Sequence, residues 1–284
     1  MGDSRTPALA IRKIKSSMNL LTQFAPLLLQ GLIGAFIVFV LLWALQWIRR
    51  DAGWVDVGWT AGVGILGAAA VFQTQGWQPR ACLVGTLILI WSIRLVAYII
   101  KDRLCSGEED SRYQTLRTYF GKKAQLGFFF FFTSQSLLVV LFAIPLLPAI
   151  NHPTPHWTLF DGLGTLLWLA SMGGEWLADW QLTRFRRNPT NRGKVCRQGL
   201  WSRSRHPNYF FEWLQWVAYC LIAYNAPAAF LSLLGPIAIY LFLMKLTGIP
   251  HVEREALRKR GEAYAAYQRE VPIFFPRLFP IPKT

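Results

Sequence analysis

The chain has 284 residues, 53% of them hydrophobic, with 13 Trp and 20 Phe. Several apolar runs of about 20 residues carry few charges, enough to cross roughly 30 Å of hydrocarbon, which excludes a soluble one- or two-domain protein. The net charge of +15 sits in the loops between these runs, so positive-inside bias and anionic headgroups account for it and nucleic acid is excluded as its partner; a bound polyphosphate would fit the same charge.

The four cysteines, Cys82, Cys105, Cys196 and Cys220, form no C-x-x-C and have no histidine at ligand spacing. That pattern argues against a zinc site and against a disulfide framework.

Residues 1–25 form a basic segment with Arg5, Arg12, Lys13 and Lys15. The apolar run behind it is too long for a signal peptide and shows no small-residue cleavage site, so it is read as the first span, 26–48. The second span, 53–72, contains Asp56 and Gly62-Val63-Gly64-Ile65-Leu66-Gly67. These glycines match G-x-G-x-x-G, but no strand precedes them, so close helix packing is the better account. The third span, 81–100, holds Arg94 and ends at Lys101, Asp102 and Arg103. A polar loop with Glu108, Glu109, Asp110, Arg112 and Tyr113 leads to the fourth span, 126–149. His152 and His156 fall in a short loop, because Pro153 and Pro155 interrupt any shared helix face.

The fifth span is 158–182, and the loop after it, 183–206, is the most basic part of the chain. The sixth and seventh spans are 208–224 and 228–247. A charged helix over Glu253 to Arg269 and the segment Phe274-Phe275-Pro276 follow. The expected fold is therefore all-α: one polytopic membrane domain over 26–284, about seven transmembrane helices, with cytoplasmic loops closing a cofactor pocket. Loops after the odd-numbered spans carry nearly all the Lys and Arg, whereas the opposite loops hold only Arg80. That places the C-terminus in the cytoplasm; the basic N-terminal segment pulls the other way.

Ionisable residues inside apolar spans mark cavities or pathways. Here they are Asp56, Arg94, Glu175, Asp179 and Glu212. An interhelical pair such as Arg94 with Asp56 is the plainest account. A polar pocket is the other, because Glu175 and Asp179 share a helix face with Arg186 seven residues on. The stretch 199–212 makes the same choice. Arg203, Arg205 and His206 form a cationic entry, Pro207 opens a helix, and Asn208 and Glu212 lie four apart on one face. Read plainly, this is a juxtamembrane basic loop. Read as a site, arginine forks and Lys194 suit phosphates, carboxylates and Asn208 suit ribose hydroxyls or amides, and aromatic rings suit a base.

Asp179-Trp180-Gln181, Gly199-Leu200-Trp201 and Arg205-His206-Pro207-Asn208-Tyr209 with Glu212 resemble the steroid 5α-reductase family, closest to its bacterial relatives of unassigned substrate. Arg112-Tyr113 and the ending around Gly261, Tyr264, Tyr267 and Phe275-Pro276 are similar too. The resemblance covers roughly residues 50–280. It implies a seven-helix membrane fold, NADPH as cofactor and an apolar lipid or steroid-like substrate, in a bacterial inner membrane. The NADPH contacts it implies are Glu175, Asp179, Arg186, Lys194, Asn208 and Glu212, with Arg103, Arg205, His206 and Tyr264 beside them. It also implies that an acidic residue and a tyrosine hold a substrate carbonyl. Asp56 falls close to the acidic position; Trp91 stands where the tyrosine is expected, and Tyr98 is two turns away.

The implied reaction is hydride transfer from NADPH to a carbon–carbon double bond conjugated to a carbonyl. Asp56 is the expected donor to the carbonyl oxygen, since a carboxyl group in an apolar cavity stays protonated. The Arg-His-Pro-Asn-Tyr segment with Glu253-Arg254-Glu255 also resembles isoprenylcysteine carboxyl and phospholipid methyltransferases, which use S-adenosylmethionine. A lipid-binding protein without catalysis is the third reading. No feature of the sequence sets the oligomeric state.

Overall fold

Helices account for every regular element in the computed structural model, and no strand occurs among the described residues. Described are residues 5–102, 104, 109–246 and 248–277, with side chains from residue 14 onward except at Asp102. Arg103, expected near the cofactor, lies outside the described residues. The principal helices are α1 (Arg5–Arg49), α2 (Trp54–Ala70), α3 (Gln78–Asp102), α4 (Ser111–Phe120), α5 (Ala124–Ala143), α6 (Leu147–Ile150), α7 (Leu159–Arg187), α8 (Pro207–Ile222), α9 (Leu234–Leu241), α10 (Ile249–Arg260) and α11 (Glu262–Glu270).

Five helical stretches are long and apolar enough to cross a membrane: Ile14–Arg49, Trp54–Gln73, Gln78–Lys101, Ser111–Ile150 and Ala229–Arg260. The expected fifth and sixth spans are helices too, α7 and α8. However, α8 has only 16 residues, and α7 carries Glu175, Asp179, Arg184, Arg186 and Arg187 in its second half. A count of seven would need both to cross.

Local chemistry sets the boundaries. The first helix does not wait for Pro26, which sits inside α1; a membrane helix tolerates proline where neighbours satisfy the backbone. The expected polar loop contains α4, because Asp110 caps it by accepting the Arg112 backbone N–H. In the tail, Gly261 takes φ +52°, so the single expected helix becomes α10 and α11.

The chain divides into two compact units. The first comprises Met1–Asp161 and Ala223–Leu234; the second comprises Gly162–Ile222 and Gly235–Thr284. In the first, α2 is the central helix, packed on α1, α3 and α5. A Cβ on Gly62 would come 2.8 Å from Val139, and one on Gly64 would come 2.4 Å from Ser92. The G-x-G-x-x-G glycines thus serve close helix approach, the main source of packing energy where lipid is as apolar as the side chains.

Arg80 shows what happens to a lone basic residue in an apolar loop region. It is fully buried, and its Nε and Nη2 meet Asp161 Oδ1 and Oδ2 at 2.6 and 2.8 Å. Its Nη1 and Nη2 also donate to the carbonyls of Thr154 and His156. Asp161 closes a capping box with Thr158 at the start of α7. The Arg80 and Thr158 hydrogen bonds together satisfy the buried Asp161 carboxylate.

Candidate functional site

The stretch 199–212 is pinned in the second unit from two directions. Gly199 takes φ +57° and leaves room for Gln181, whose Nε2 would lie 2.4 Å from a Cβ there. Gln181 Oε1 accepts the Leu200 backbone N–H at 2.9 Å, and Trp201 Nε1 donates to Ala178 O at 2.9 Å. The Gly-Leu-Trp segment is thereby docked on α7. On its other side the tail runs alongside: Arg205 N–H donates to Pro272 O, Ser204 Oγ to Phe274 O, and Arg277 N–H to Arg203 O. Phe274 and Phe275 then pack edge-on against Phe210 and Trp213 of α8.

Helices α7 and α8 face each other through a polar stripe. Gly174 lets them close, since a Cβ there would meet the Phe211 ring at 2.5 Å. Asn208 Nδ2 donates to Asp179 Oδ1 at 3.2 Å, and Gln215 Nε2 donates to Glu175 Oε2 at 2.7 Å. Glu212 lies between Asn208 and Gln215 on the same helix face. Glu175, Asp179, Glu212 and Gln215 are all buried. Sequence reasoning found four members of this stripe and missed Gln215; its signal was the spacing, seven residues after Asn208 and three after Glu212.

Arg205, His206 and Tyr264, all expected as cofactor contacts, converge on Glu253 in this structure. Glu253 Oε1 accepts from Arg205 Nε at 3.1 Å, His206 Nε2 at 2.8 Å and the Tyr264 hydroxyl at 2.7 Å. Its Oε2 accepts from Gln268 Nε2 at 2.7 Å and Arg205 Nη2 at 3.0 Å. The remaining Arg205 amino group donates to the carbonyls of Gln268 and Val271. Donors committed to a buried carboxylate are not offered to a phosphate. Burial lowers the His206 pKa, with Glu253 pulling the other way, so its Nε2–H donates from a neutral ring. Burial and the Glu253 charge push the Tyr264 phenol up.

The loop arginines divide accordingly. Arg205 is an internal brace, whereas Arg186, Arg187, Arg192 and Lys194 are exposed and outside that network. Burial pushes the nearby Cys196 thiol up although Arg186 opposes it, so this cysteine stays a protonated packing group.

The first unit holds a separate cluster. Arg112 Nη2 donates to Asp56 Oδ2 at 2.8 Å, and the Tyr113 hydroxyl donates to Asp56 Oδ1 at 2.8 Å. Arg112 is fixed in turn by Asp110. Asp56, expected as the donor to a substrate carbonyl, here accepts from a guanidinium on one oxygen and a phenol on the other. The group with a proton to give is Tyr113, which sequence reasoning noted only as part of a motif. Tyr98, the candidate catalytic tyrosine two turns from the expected position, is half-buried under the Arg94 guanidinium, 5.6 Å from its ring centroid. Trp91 is buried with its ring edge-on to Trp59.

A family described as a protein of unknown function (DUF1295) matches residues 42–271, a stretch that contains both clusters. The chain belongs to this family. Among curated proteins, an uncharacterized protein of Schizosaccharomyces pombe is 26% identical to this DUF1295 chain over 278 residues, covering 87% of this chain and 79% of the relative. No solved structure matches it.

A nicotinamide nucleotide asks two things of a protein: cationic donors for phosphates and acceptors for ribose hydroxyls and a carboxamide. In the second unit of the DUF1295 chain the exposed basic loop meets the first demand. The acceptor-rich stripe meets the second, since Gln215 Oε1 is buried with no hydrogen-bond partner among the described residues. The residues fit the group. Among the described residues no cluster of His, Cys, Asp or Glu fits a metal ion.

Proposed function

We propose that this chain is a membrane oxidoreductase. It uses NADPH to reduce a carbon–carbon double bond conjugated to a carbonyl in a lipid or steroid-like substrate. The observation that carries the reading is the pairing, within one unit, of a buried acceptor stripe with an acid-free basic loop. From Trp180 to Phe211 the sequence has no Asp or Glu. The resemblance of residues 199–212 to the steroid 5α-reductases supports the same reading, and it lies within the DUF1295 match.

In this reading Glu175, Asp179, Asn208 and Glu212 hold the uncharged end of the cofactor, and Arg186 and Lys194 neutralise its phosphates. NADPH, when bound, supplies the hydride. Tyr113 supplies the proton: its hydroxyl is a rotor that can turn from Asp56 to a substrate carbonyl oxygen. Arg112 occupies the other oxygen of Asp56, so Asp56 orients the phenol. A donor aimed at an oxygen on which negative charge develops lowers the barrier. The apolar substrate reaches the protein through the membrane, and the C-terminus faces the cytoplasm, in bacteria beneath the inner membrane.

S-adenosylmethionine is the second reading, of an isoprenylcysteine carboxyl or phospholipid methyltransferase type. The three buried carboxylates of α7 and α8 favour it, because they suit an ammonium and a sulfonium. Equilibrium titration of the purified protein with both cofactors separates the two. Saturable NADPH binding, followed by oxidation of NADPH in the presence of α,β-unsaturated ketones, supports the oxidoreductase. Binding of S-adenosylmethionine alone removes it.

A further inference from the structure

Gln215 is 1% exposed, and its two polar atoms have different fates. Nε2 donates to Glu175 Oε2 at 2.7 Å, whereas Oε1 has no hydrogen-bond partner among the described residues. A buried carbonyl oxygen without a donor is costly, so it calls for an explanation. Turning the amide over does not provide one. It would set Oε1 against Glu175 Oε2, acceptor to acceptor, and leave the amino group as the orphan. The amide with Nε2 toward Glu175 is therefore the better orientation, and what Oε1 lacks is an outside donor.

The surroundings fix the kind of donor. Glu212, one turn before Gln215 on α8, is buried, as is Glu175 on α7. Carboxylate oxygens accept, and so does Gln215 Oε1. A phosphate or a carboxylate would meet repulsion at every point. A hydroxyl brings a single proton. A group with several N–H bonds matches an acceptor set of this kind.

We propose that Gln215 Oε1, with the carboxylates of Glu212 and Glu175, forms a seat for an N–H-rich end of the cofactor. This rests on the reading that the α7–α8 stripe binds a cofactor. Within the oxidoreductase reading the group is the nicotinamide carboxamide; within the methyltransferase reading it is the amino-acid ammonium. The chemistry is shared, and the seat sets which end of the ligand lies between the helices. Gln215 is thus a positioning residue.

The test compares ligands on the intact protein in nanodiscs by calorimetric titration. NADPH is set against its 3-acetylpyridine analogue, in which a methyl replaces the carboxamide NH2. The wild type should bind NADPH about tenfold more tightly than the analogue, the equivalent of one well-made hydrogen bond. Gln215→Met should weaken NADPH and leave the analogue unchanged, so that the ratio falls to about two. Equal binding of both by the wild type overturns the seat and leaves the NADPH reading standing; because that comparison uses unaltered protein, misfolding of the variant cannot obscure it. If the chain binds S-adenosylmethionine and not NADPH, the oxidoreductase reading falls, and the same ratio against a deaminated analogue decides the seat. Binding of neither cofactor overturns both.

Discussion

His206 Nε2 stands 2.8 Å from Glu253 Oε1, within a carboxylate that also takes Arg205, Tyr264 and Gln268. Four residues from two parts of the chain share one buried charge, so the charge organises the tail of the second unit. Removing it should leave a buried guanidinium and several donors without an acceptor. Glu253→Ala is expected to cost about 3–5 kcal/mol. Tyr264→Phe, which deletes one donor and leaves the carboxylate otherwise satisfied, should cost about 1 kcal/mol. Thermal unfolding in detergent ranks the two; equal midpoints for Glu253→Ala and wild type would refute the hub.

The same pair gives a pH dependence. The His206 pKa lies below its ordinary 6.5 because burial disfavours the imidazolium. Above pH 6.5 the ring is neutral in both folded and unfolded chains, and its contribution is fully present. As pH falls below 6.5 the unfolded chain takes up a proton that the folded one resists, so stability declines until the folded pKa is reached. His206→Gln keeps an N–H donor for Glu253 and removes the titration. Between pH 8 and pH 5.5 the variant should therefore lose less of its unfolding temperature than the wild type. His152, also depressed by burial, contributes equally to both chains and cancels in the comparison.

Periodicity and motif placed the helices, because an apolar run long enough to cross lipid has few alternatives. Pro207, Asn208 and Glu212 fell where their spacing put them, on the first turns of α8. What the sequence could not show was how each polar group is spent. Arg205 and Arg186 look alike in a basic loop, yet one is locked to Glu253 across 48 residues and the other is exposed. Asp56 looks like an isolated acid in an apolar span until Arg112, 56 residues away, closes on it. Arg80 looks like a loop charge and is a buried clasp. These are long-range pairings, and local pattern carries no record of them. The count of spans was hard to read for a different reason: α7 combines a span's length with a site's charges.

The split between the arginines predicts two different phenotypes. Arg186→Ala should weaken NADPH about tenfold or more, the loss of a charge-assisted contact to phosphate, with little change in unfolding temperature. The loss should shrink in high salt, because an exposed cation is screened. Arg205→Ala should do the reverse: lower the unfolding temperature strongly while the folded fraction keeps near-normal affinity. A binding titration paired with a melt on each variant checks this. Loss of affinity in Arg205→Ala at unchanged stability would put that guanidinium back on the cofactor.

The last prediction concerns Tyr113, whose hydroxyl donates to Asp56 at 2.8 Å. If that hydroxyl is the proton source, Tyr113→Phe should lower kcat by about two to four orders of magnitude, the usual worth of a positioned acid. NADPH affinity should stay within about twofold, since Tyr113 is not among the residues assigned to the cofactor. Asp56→Asn should also lower kcat, by less, because the phenol remains and only its orienting charge is lost. Steady-state rates with one enone substrate measure both effects. Full activity in Tyr113→Phe together with a dead Asp56→Asn would return the donor's role to Asp56.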